Sequence, residues 1–118
     1  MNRIDHRLTL DVTKPGSQGR VYIRAGDTNA HRLYVYLRMG AEEFALTSNM
    51  VAMARARPAN GTAVTEYGVQ ISDGAAVWDL PAAFSTMECE LYVWLSASSH
   101  FVSPRFEIVA DEVIGGVG

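Results

Sequence analysis

Apolar and polar residues alternate along several short stretches of the chain, and a period of two is typical of strands that bury one face. The strongest example covers residues 88–95, where the apolar positions are Cys89, Leu91, Val93 and Leu95. Similar alternation covers residues 4–12, 33–39 and 50–57. Because no stretch has a helical period over more than one or two turns, the pattern predicts an all-β protein.

Turn-forming residues separate these stretches. Asn60-Gly61 and Asp73-Gly74 each lie between two apolar stretches, and both pairs tolerate the positive φ angles that tight hairpin turns require. Gly26-Asp27-Thr28 ends the stretch that contains Val21 and Ile23. With turn signals about every 8 to 12 residues, we expect an antiparallel β-sandwich of about eight strands.

The length of 118 residues fits one domain spanning residues 1–118. Within it we expect an N-terminal strand or arm (1–13), a sandwich body (19–112) and a flexible, glycine-rich tail (113–118). Lys14–Gly19 separates the first two parts, since Pro15 cannot donate to a strand ladder. Pro81–Thr86 is expected to be a crossover loop.

Composition excludes several classes of function. The net charge is −3 and no basic cluster is present, so the sequence predicts no nucleic-acid partner and no membrane partner. No apolar run approaches the ~20 residues of a membrane-spanning helix. The chain has a single cysteine, which precludes an internal disulfide, and its first residues lack a signal peptide. We therefore expect synthesis in the cytoplasm.

The residues that usually carry chemistry do not form a recognisable motif. His6, His31 and His100 are far apart in sequence, so they do not form a short metal-binding motif. We expect no catalytic residues, no metal ligands and no cofactor. We expect His6 at the edge of the core and His31 and His100 on the surface beside loops. Cys89 alternates with core residues and should behave as a small apolar side chain. The sequence predicts that the protein is not an enzyme.

Two aromatic pairs are the candidates for an interface. Tyr34 and Tyr36 share one face of a predicted strand, and Tyr92 and Trp94 share one face of another. Exposed aromatic residues on a sheet favour a protein interface or a platform for a glycan. The alternative is that these rings close the ends of the core, because a period of two does not say which face is buried.

The order of the turns and strands also carries a family resemblance. The motifs, in order, are Val21–Thr28, Leu33–Met39, Leu46-Thr47, Arg57-Pro58, Asn60-Gly61-Thr62, Ile71–Gly74, Phe101-Val102-Ser103 and Phe106–Val109. This order resembles the N-terminal domain of phage baseplate upper proteins from siphophages of Gram-positive hosts. The resemblance covers residues 20–112, although the turn after Pro58 has one more residue than the family's.

The resemblance implies that the antiparallel β-sandwich is immunoglobulin-like. It also implies a structural part of a phage tail tip or baseplate that connects receptor-binding parts to the virion. It implies other tail proteins as partners and assembly as a homo-oligomer. The N-terminal strand is also a candidate for addition to a neighbour's sheet edge. The alternative function is a carbohydrate-binding sandwich that recognises a host cell-wall glycan.

Overall fold

In the computed structural model, residues 3–24, 31–80 and 86–111 are described, and they contain eleven strands and no helix. The strands are β1 (Ile4–Asp11), β2 (Ser17–Arg24), β3 (His31–Met39), β4 (Glu42–Phe44), β5 (Val51–Pro58), β6 (Thr65–Gly68), β7 (Gln70–Ser72), β8 (Ala75–Asp79), β9 (Met87–Ser96), β10 (Ser99–Val102) and β11 (Arg105–Asp111). The all-β prediction is confirmed, and the strands beyond the expected eight are short ones.

The strands form two sheets. Sheet A has the order β1-β3-β8-β7, with β4 also paired to β3. Sheet B has the order β2-β11-β9-β5-β6, with β10 also paired to β9. Because the strands of both sheets alternate between buried and less buried residues, each sheet turns one face to the shared core and the other outward. The predicted β-sandwich is confirmed.

The core between the sheets follows the alternation read from the sequence. Sheet A supplies Leu33, Val35 and Leu37 from β3, and sheet B supplies Leu91 and Val93 from β9. The largest fully buried side chains are Trp78 and Phe106. On β5 the inward residues are all alanines, namely Ala52, Ala54 and Ala56. Small side chains there leave room for the bulky residues of sheet A to approach.

Two strand pairs differ from a purely antiparallel arrangement. β1 pairs with β3 in parallel, and β2 pairs with β11 in parallel. The connection between β1 and β2, residues 12–16, carries the chain from the edge of sheet A to the edge of sheet B. Gly16 in this connection has a φ of 87°, in the region that favours glycine. β1 therefore belongs to the chain's own sandwich, at its edge.

The two predicted hairpin turns have different outcomes. Asp73 and Gly74 have φ angles of 52° and 83°, so the turn between β7 and β8 is confirmed as one that needs two positive φ angles. The hairpin predicted at Asn60-Gly61 is confirmed, since β5 and β6 pair antiparallel, but neither residue has a positive φ and the primed turn predicted there is wrong. Instead, a six-residue connection (59–64) joins β5 to β6, and the N–H of Gly61 donates to the carbonyl of Pro58.

Some predictions fall on parts of the chain outside the described residues. These are the turn Gly26-Asp27-Thr28, most of the crossover loop Pro81–Thr86 and the tail 113–118. The proposed division of the chain at residues 13, 19 and 112 stays a prediction. Within the described ranges there is no helix with the length and apolar character needed to cross a membrane.

We expect Gly74→Ala to lower the free energy of unfolding by about 1 kcal/mol, because a side chain at positive φ is strained. The added Cβ would lie 3.7 Å from the Cβ of Ala45, an ordinary contact, so the backbone conformation is the main cause. The matched control is Gly68→Ala, since Gly68 lacks a positive φ and its added Cβ meets nothing within 4 Å. Urea unfolding of both variants checks this, and equal losses would contradict it.

Asp11 fastens the end of β1 to its surroundings. Its Oδ1 accepts hydrogen bonds from the Thr13 hydroxyl (2.6 Å), the Thr13 N–H (3.0 Å) and the Gly40 N–H (3.1 Å). The side chain of Gln18 bonds to both the N–H and the carbonyl of Asp11. The Thr13 hydroxyl bond first, and then the backbone N–H groups, lower the pKa of Asp11 to about 2.

This pKa predicts a pH dependence of stability. Since the pKa of an unfolded aspartate is about 3.9, the bonds of Asp11 contribute fully above that pH and are lost as the pH falls through about 2. We expect Asp11→Asn to have a lower urea midpoint than the wild type at pH 7, and the difference to shrink at pH 2. Asp5→Asn, an exposed carboxylate of the same strand, should have little effect at pH 7. A constant difference for Asp11→Asn at both pH values would contradict this.

Candidate functional site

The four aromatic candidates lie on the two outer faces of the sandwich. On β3, the residues on either side of Tyr34 and Tyr36 are buried, so both tyrosines point away from the core of sheet A. On β9, Tyr92 and Trp94 likewise point away from the core of sheet B. All four are half-buried and none belongs to the core cluster. The alternative that they close the ends of the core does not fit this arrangement.

Tyr92 and Trp94 form the centre of a larger apolar surface on sheet B. Neighbouring strands add side chains beside them, because β5 pairs Val51 with Trp94 and Met53 with Tyr92, and β10 pairs His100 with Trp94 and Val102 with Tyr92. Val51 is 61% exposed and Val102 is 44% exposed. We call this surface the sheet B patch, and its members are Val51, Met53, Tyr92, Trp94, His100 and Val102.

The rings of the sheet B patch pack against one another. The ring centroids of Tyr92 and Trp94 are 5.4 Å apart, and His100 lies 4.7 Å from each of them. His100 is stacked on Tyr92 with an angle of 17° between the ring planes. These spacings are within the range of favourable aromatic pairs, so the cluster is held in a defined shape before any partner binds.

Tyr92 is enclosed from both neighbouring strands. The guanidinium carbon of Arg55, on β5, lies 4.2 Å from the centre of its ring, and His100 stacks from β10 on the other side of β9. A cation at this distance from an aromatic ring is attracted to it. The Tyr92 ring therefore packs against side chains of the protein itself from two neighbouring strands.

A shallow groove runs beside Trp94. It has a volume of about 350 Å³ and is lined by Asn49, Val51, Trp94, Ser96 and Ala97. The groove lies at the end of β9 and before β5, at one end of the sheet B patch. An apolar side chain from another protein would find the indole and Val51 as contacts there.

A rim of paired charges continues the outer face of sheet B beyond the patch. Arg55 pairs with Glu66 at 3.2 Å, and Arg57 pairs with Glu88 at 2.7 Å. Glu88 also lies 3.8 Å from Arg105, and further along Arg20 pairs with Glu107 at 2.7 Å. Exposed ion pairs of this kind add little stability. Because acidic and basic groups are matched, the face has no large field of one sign.

The outer face of sheet A has a more polar character. The guanidinium carbon of Arg7 lies 5.2 Å from the centre of the Tyr34 ring. Arg32 donates two hydrogen bonds to Asp79, at 2.6 and 3.2 Å, and the first cause of the lowered pKa of Asp79 is this bonding to Arg32. Tyr36 lies opposite Thr9 of β1. Tyr34 and Tyr36 thus lie among charged and hydroxyl groups.

The cysteine and the two remaining histidines are buried or half-buried in the sandwich. Cys89 is buried as predicted, and burial raises the pKa of its thiol to about 12, so the reactive thiolate is scarce at neutral pH. His6 is half-buried at the edge of the core, which confirms the prediction. His31 is only 7% exposed as the first residue of β3, so its predicted surface position is wrong. Among the described residues no group of three possible metal ligands converges.

Sequence reasoning missed four of the six members of the sheet B patch. Val51 and Met53 were visible as one face of a strand, and His100 and Val102 were visible near another, but alternation within a strand does not say which strands are neighbours. Only the pairing of β5 and β10 with β9 brings these four side chains to Tyr92 and Trp94.

Comparison with known proteins reveals a similarity of structure. No family model matches the chain, and no curated protein matches it. Among solved structures, the N-terminal domain of phage TP901-1 ORF48 is similar, with a TM-score of 0.68 and 17% sequence identity. The match covers 92% of this chain and 98% of that one. At this identity the likeness concerns the fold, and it confirms the resemblance to a phage N-terminal domain that the order of turns predicts: the chain has the β-sandwich fold of the N-terminal domain of phage TP901-1 ORF48.

Proposed function

We propose that this protein is a non-enzymatic structural module of a phage or prophage tail tip or baseplate. The observation that carries the proposal is the likeness to the N-terminal domain of phage TP901-1 ORF48 over nearly the whole length of both chains. In this role the module connects receptor-binding parts to the virion, and its partners are other tail proteins.

The sheet B patch is the surface by which we propose that the module docks. The ion pairs of Arg55 and Arg57 border its apolar centre on one side. Protein interfaces commonly have such an apolar core and a polar rim. Aromatic residues such as Trp94 supply much of the binding energy at such surfaces. Since the aromatic cluster is already packed, little side-chain freedom is lost on docking.

The carbohydrate-binding alternative has less support from this geometry. A sugar ring stacks on an open aromatic face, whereas the ring of Tyr92 lies between Arg55 and His100. The ring planes of Tyr92 and Trp94 are inclined at 50°, so the pair is not a flat platform. We therefore favour a protein partner over a host glycan.

Tyr34 and Tyr36 support a second, weaker proposal. Because they lie on the opposite face of the sandwich, they would contact a different neighbour in an assembly from the one at the sheet B patch. Homo-oligomer formation and an immunoglobulin-like fold stay predictions. The strand orders β3-β8-β7 in sheet A and β11-β9-β5 in sheet B support the immunoglobulin-like fold, because they match the strand order of that sandwich.

Location in the virion tests the proposed function. An antibody raised against the purified protein would be applied to virions of the phage that encodes it, and gold-labelled antibody would be viewed by electron microscopy. We expect label at the distal end of the tail, and mass spectrometry of purified virions should contain peptides of this chain. Virions that lack the protein while the infected cells contain it would refute the proposal.

A further inference from the structure

The two histidines at the start of β1 and β3 meet across the edge of sheet A. Nε2 of His6 lies 2.8 Å from Nδ1 of His31, and the two rings are stacked with centroids 5.0 Å apart. In the parallel pairing of these strands, Ile4 is opposite His31 and His6 is opposite Leu33. The bond therefore joins the first residues of an edge strand to the strand inside it.

This bond limits how many protons the pair can hold. A hydrogen bond between two ring nitrogens needs one of them to accept, so the intact pair carries at most one imidazolium. If both rings become imidazolium, both facing nitrogens carry protons, so the bond is lost and two cations lie side by side in a partly buried place. Each free imidazole, by contrast, takes up a proton near pH 6.5.

We propose that the first part of β1, residues Ile4–His6, is a pH-sensitive clip that stays on β3 at neutral pH and separates from it in acid. The proposal is independent of the docking role of the sheet B patch. Protonation of both rings drives the separation, and the released strand leaves the edge of β3 open. Unpaired N–H and carbonyl groups at such an edge accept a strand from another chain.

The surroundings of the pair agree with this direction. Burial first, and then the proximity of His31, lower the pKa of His6, whereas the carboxylate of Asp5 opposes this change. β1 packs against β3 and β2, and the inward residues of β2 are the apolar Val21 and Ile23, which supply no charge to hold a second proton.

The charged groups on the outer side of these strands do not replace the pair. Arg32 and Arg3 both interact with Asp79, at 2.6 and 3.8 Å. On β2, Arg20, Tyr22 and Arg24 lie on the face opposite to the inward Val21 and Ile23. The lowered pKa of Asp79 keeps its carboxylate ionised near pH 6.5, so the exposed Arg3 contact contributes little stability and adds no pH dependence of its own there.

The two ends of β1 respond to different pH ranges. At the far end, Leu10 is fully buried and Asp11 keeps its hydrogen bonds until the pH falls to about 2. The sign of the effect at the near end follows from linkage: the separated strand binds more protons than the docked one, so docking weakens as the pH falls below 6.5. A difference of one proton corresponds to about a tenfold change in the opening equilibrium per pH unit.

Hydrogen exchange measured by mass spectrometry at pH 7.5 and pH 5.0 tests the clip. After correction for the intrinsic rate, we expect protection of peptides covering residues 4–8 to fall about tenfold or more at pH 5.0, while protection of β9 and β11 stays unchanged. In His6→Gln, the glutamine side chain can still form a hydrogen bond but does not titrate, so protection should be the same at both pH values. His100→Gln is the control, because this histidine lies on the outer face of sheet B and should leave the wild-type response intact.

Two outcomes would overturn the clip. One is equal protection of residues 4–8 in the wild type at both pH values, and the other is a drop that persists in His6→Gln. A second measurement needs no variant: NMR titration of the imidazole signals of the wild type should place the second protonation of the pair at the pH where exchange rises. Exchange that rises at a pH where neither ring titrates would also contradict the proposal.

Discussion

Replacement of Trp94 by alanine is expected to weaken the proposed docking to a tail protein by about 30-fold or more while leaving the fold intact. The indole lies at the centre of the sheet B patch, within 5.4 Å of Tyr92 and 4.7 Å of His100 by ring centroids. Central aromatic residues of interfaces typically cost 2 kcal/mol or more when truncated, which corresponds to this loss of affinity. Since Trp94 points away from the core, its removal leaves no internal cavity.

The measurement is incorporation of labelled protein into tails that lack the wild-type copy, compared with the wild type at equal concentration. Tyr22→Ala is the matched control, because Tyr22 is an aromatic residue that is 54% exposed on the same sheet, on β2 and outside the patch. Circular dichroism of both variants should match the wild type. If Trp94→Ala assembles as well as Tyr22→Ala does, the sheet B patch is not the docking surface.

Replacement of Phe106 by alanine is expected to have the largest effect on stability, a loss of about 3–5 kcal/mol. Phe106 is fully buried on β11, which lies inside sheet B between β2 and β9. Its removal leaves a cavity that the sheets on both sides cannot close without breaking strand pairing. Because domains of this size have a total stability of about 5–15 kcal/mol, the variant would be close to unfolding.

Thermal and urea unfolding measure this loss, and Phe101→Ala is the control. Phe101 also faces the core side and contacts Phe44 edge-on, with centroids 5.3 Å apart, but it is only partly buried and belongs to the short β10. We expect it to cost clearly less than Phe106→Ala. A Phe106→Ala variant no less stable than Phe101→Ala would show that the region around β11 repacks.

Local chemistry in the sequence was sufficient for the longer strands and for one turn, but not for short strands such as β4. Alternation located β3, β5 and β9 and divided their side chains between two faces, because side chains on a strand alternate whatever the strand pairs with. The Asp73-Gly74 turn was predictable because both residues tolerate positive φ. The conformation of the connection 59–64 was not predictable. Asn60 and Gly61 tolerate positive φ angles, but a six-residue loop does not require them.

The tertiary structure decided what depends on pairing between distant strands. Parallel pairing of β1 with β3 placed His6 beside His31, which are 25 positions apart, and no local pattern specifies that contact. The same reason applies to the sheet B patch, where Met53, Trp94 and His100 meet only through the neighbours of β9. The sequence alone determined that Tyr92 and Trp94 share one strand face. The packing of two sheets determined that this face points outward, because Leu91 and Val93 on the other face belong to the core that the sheets share.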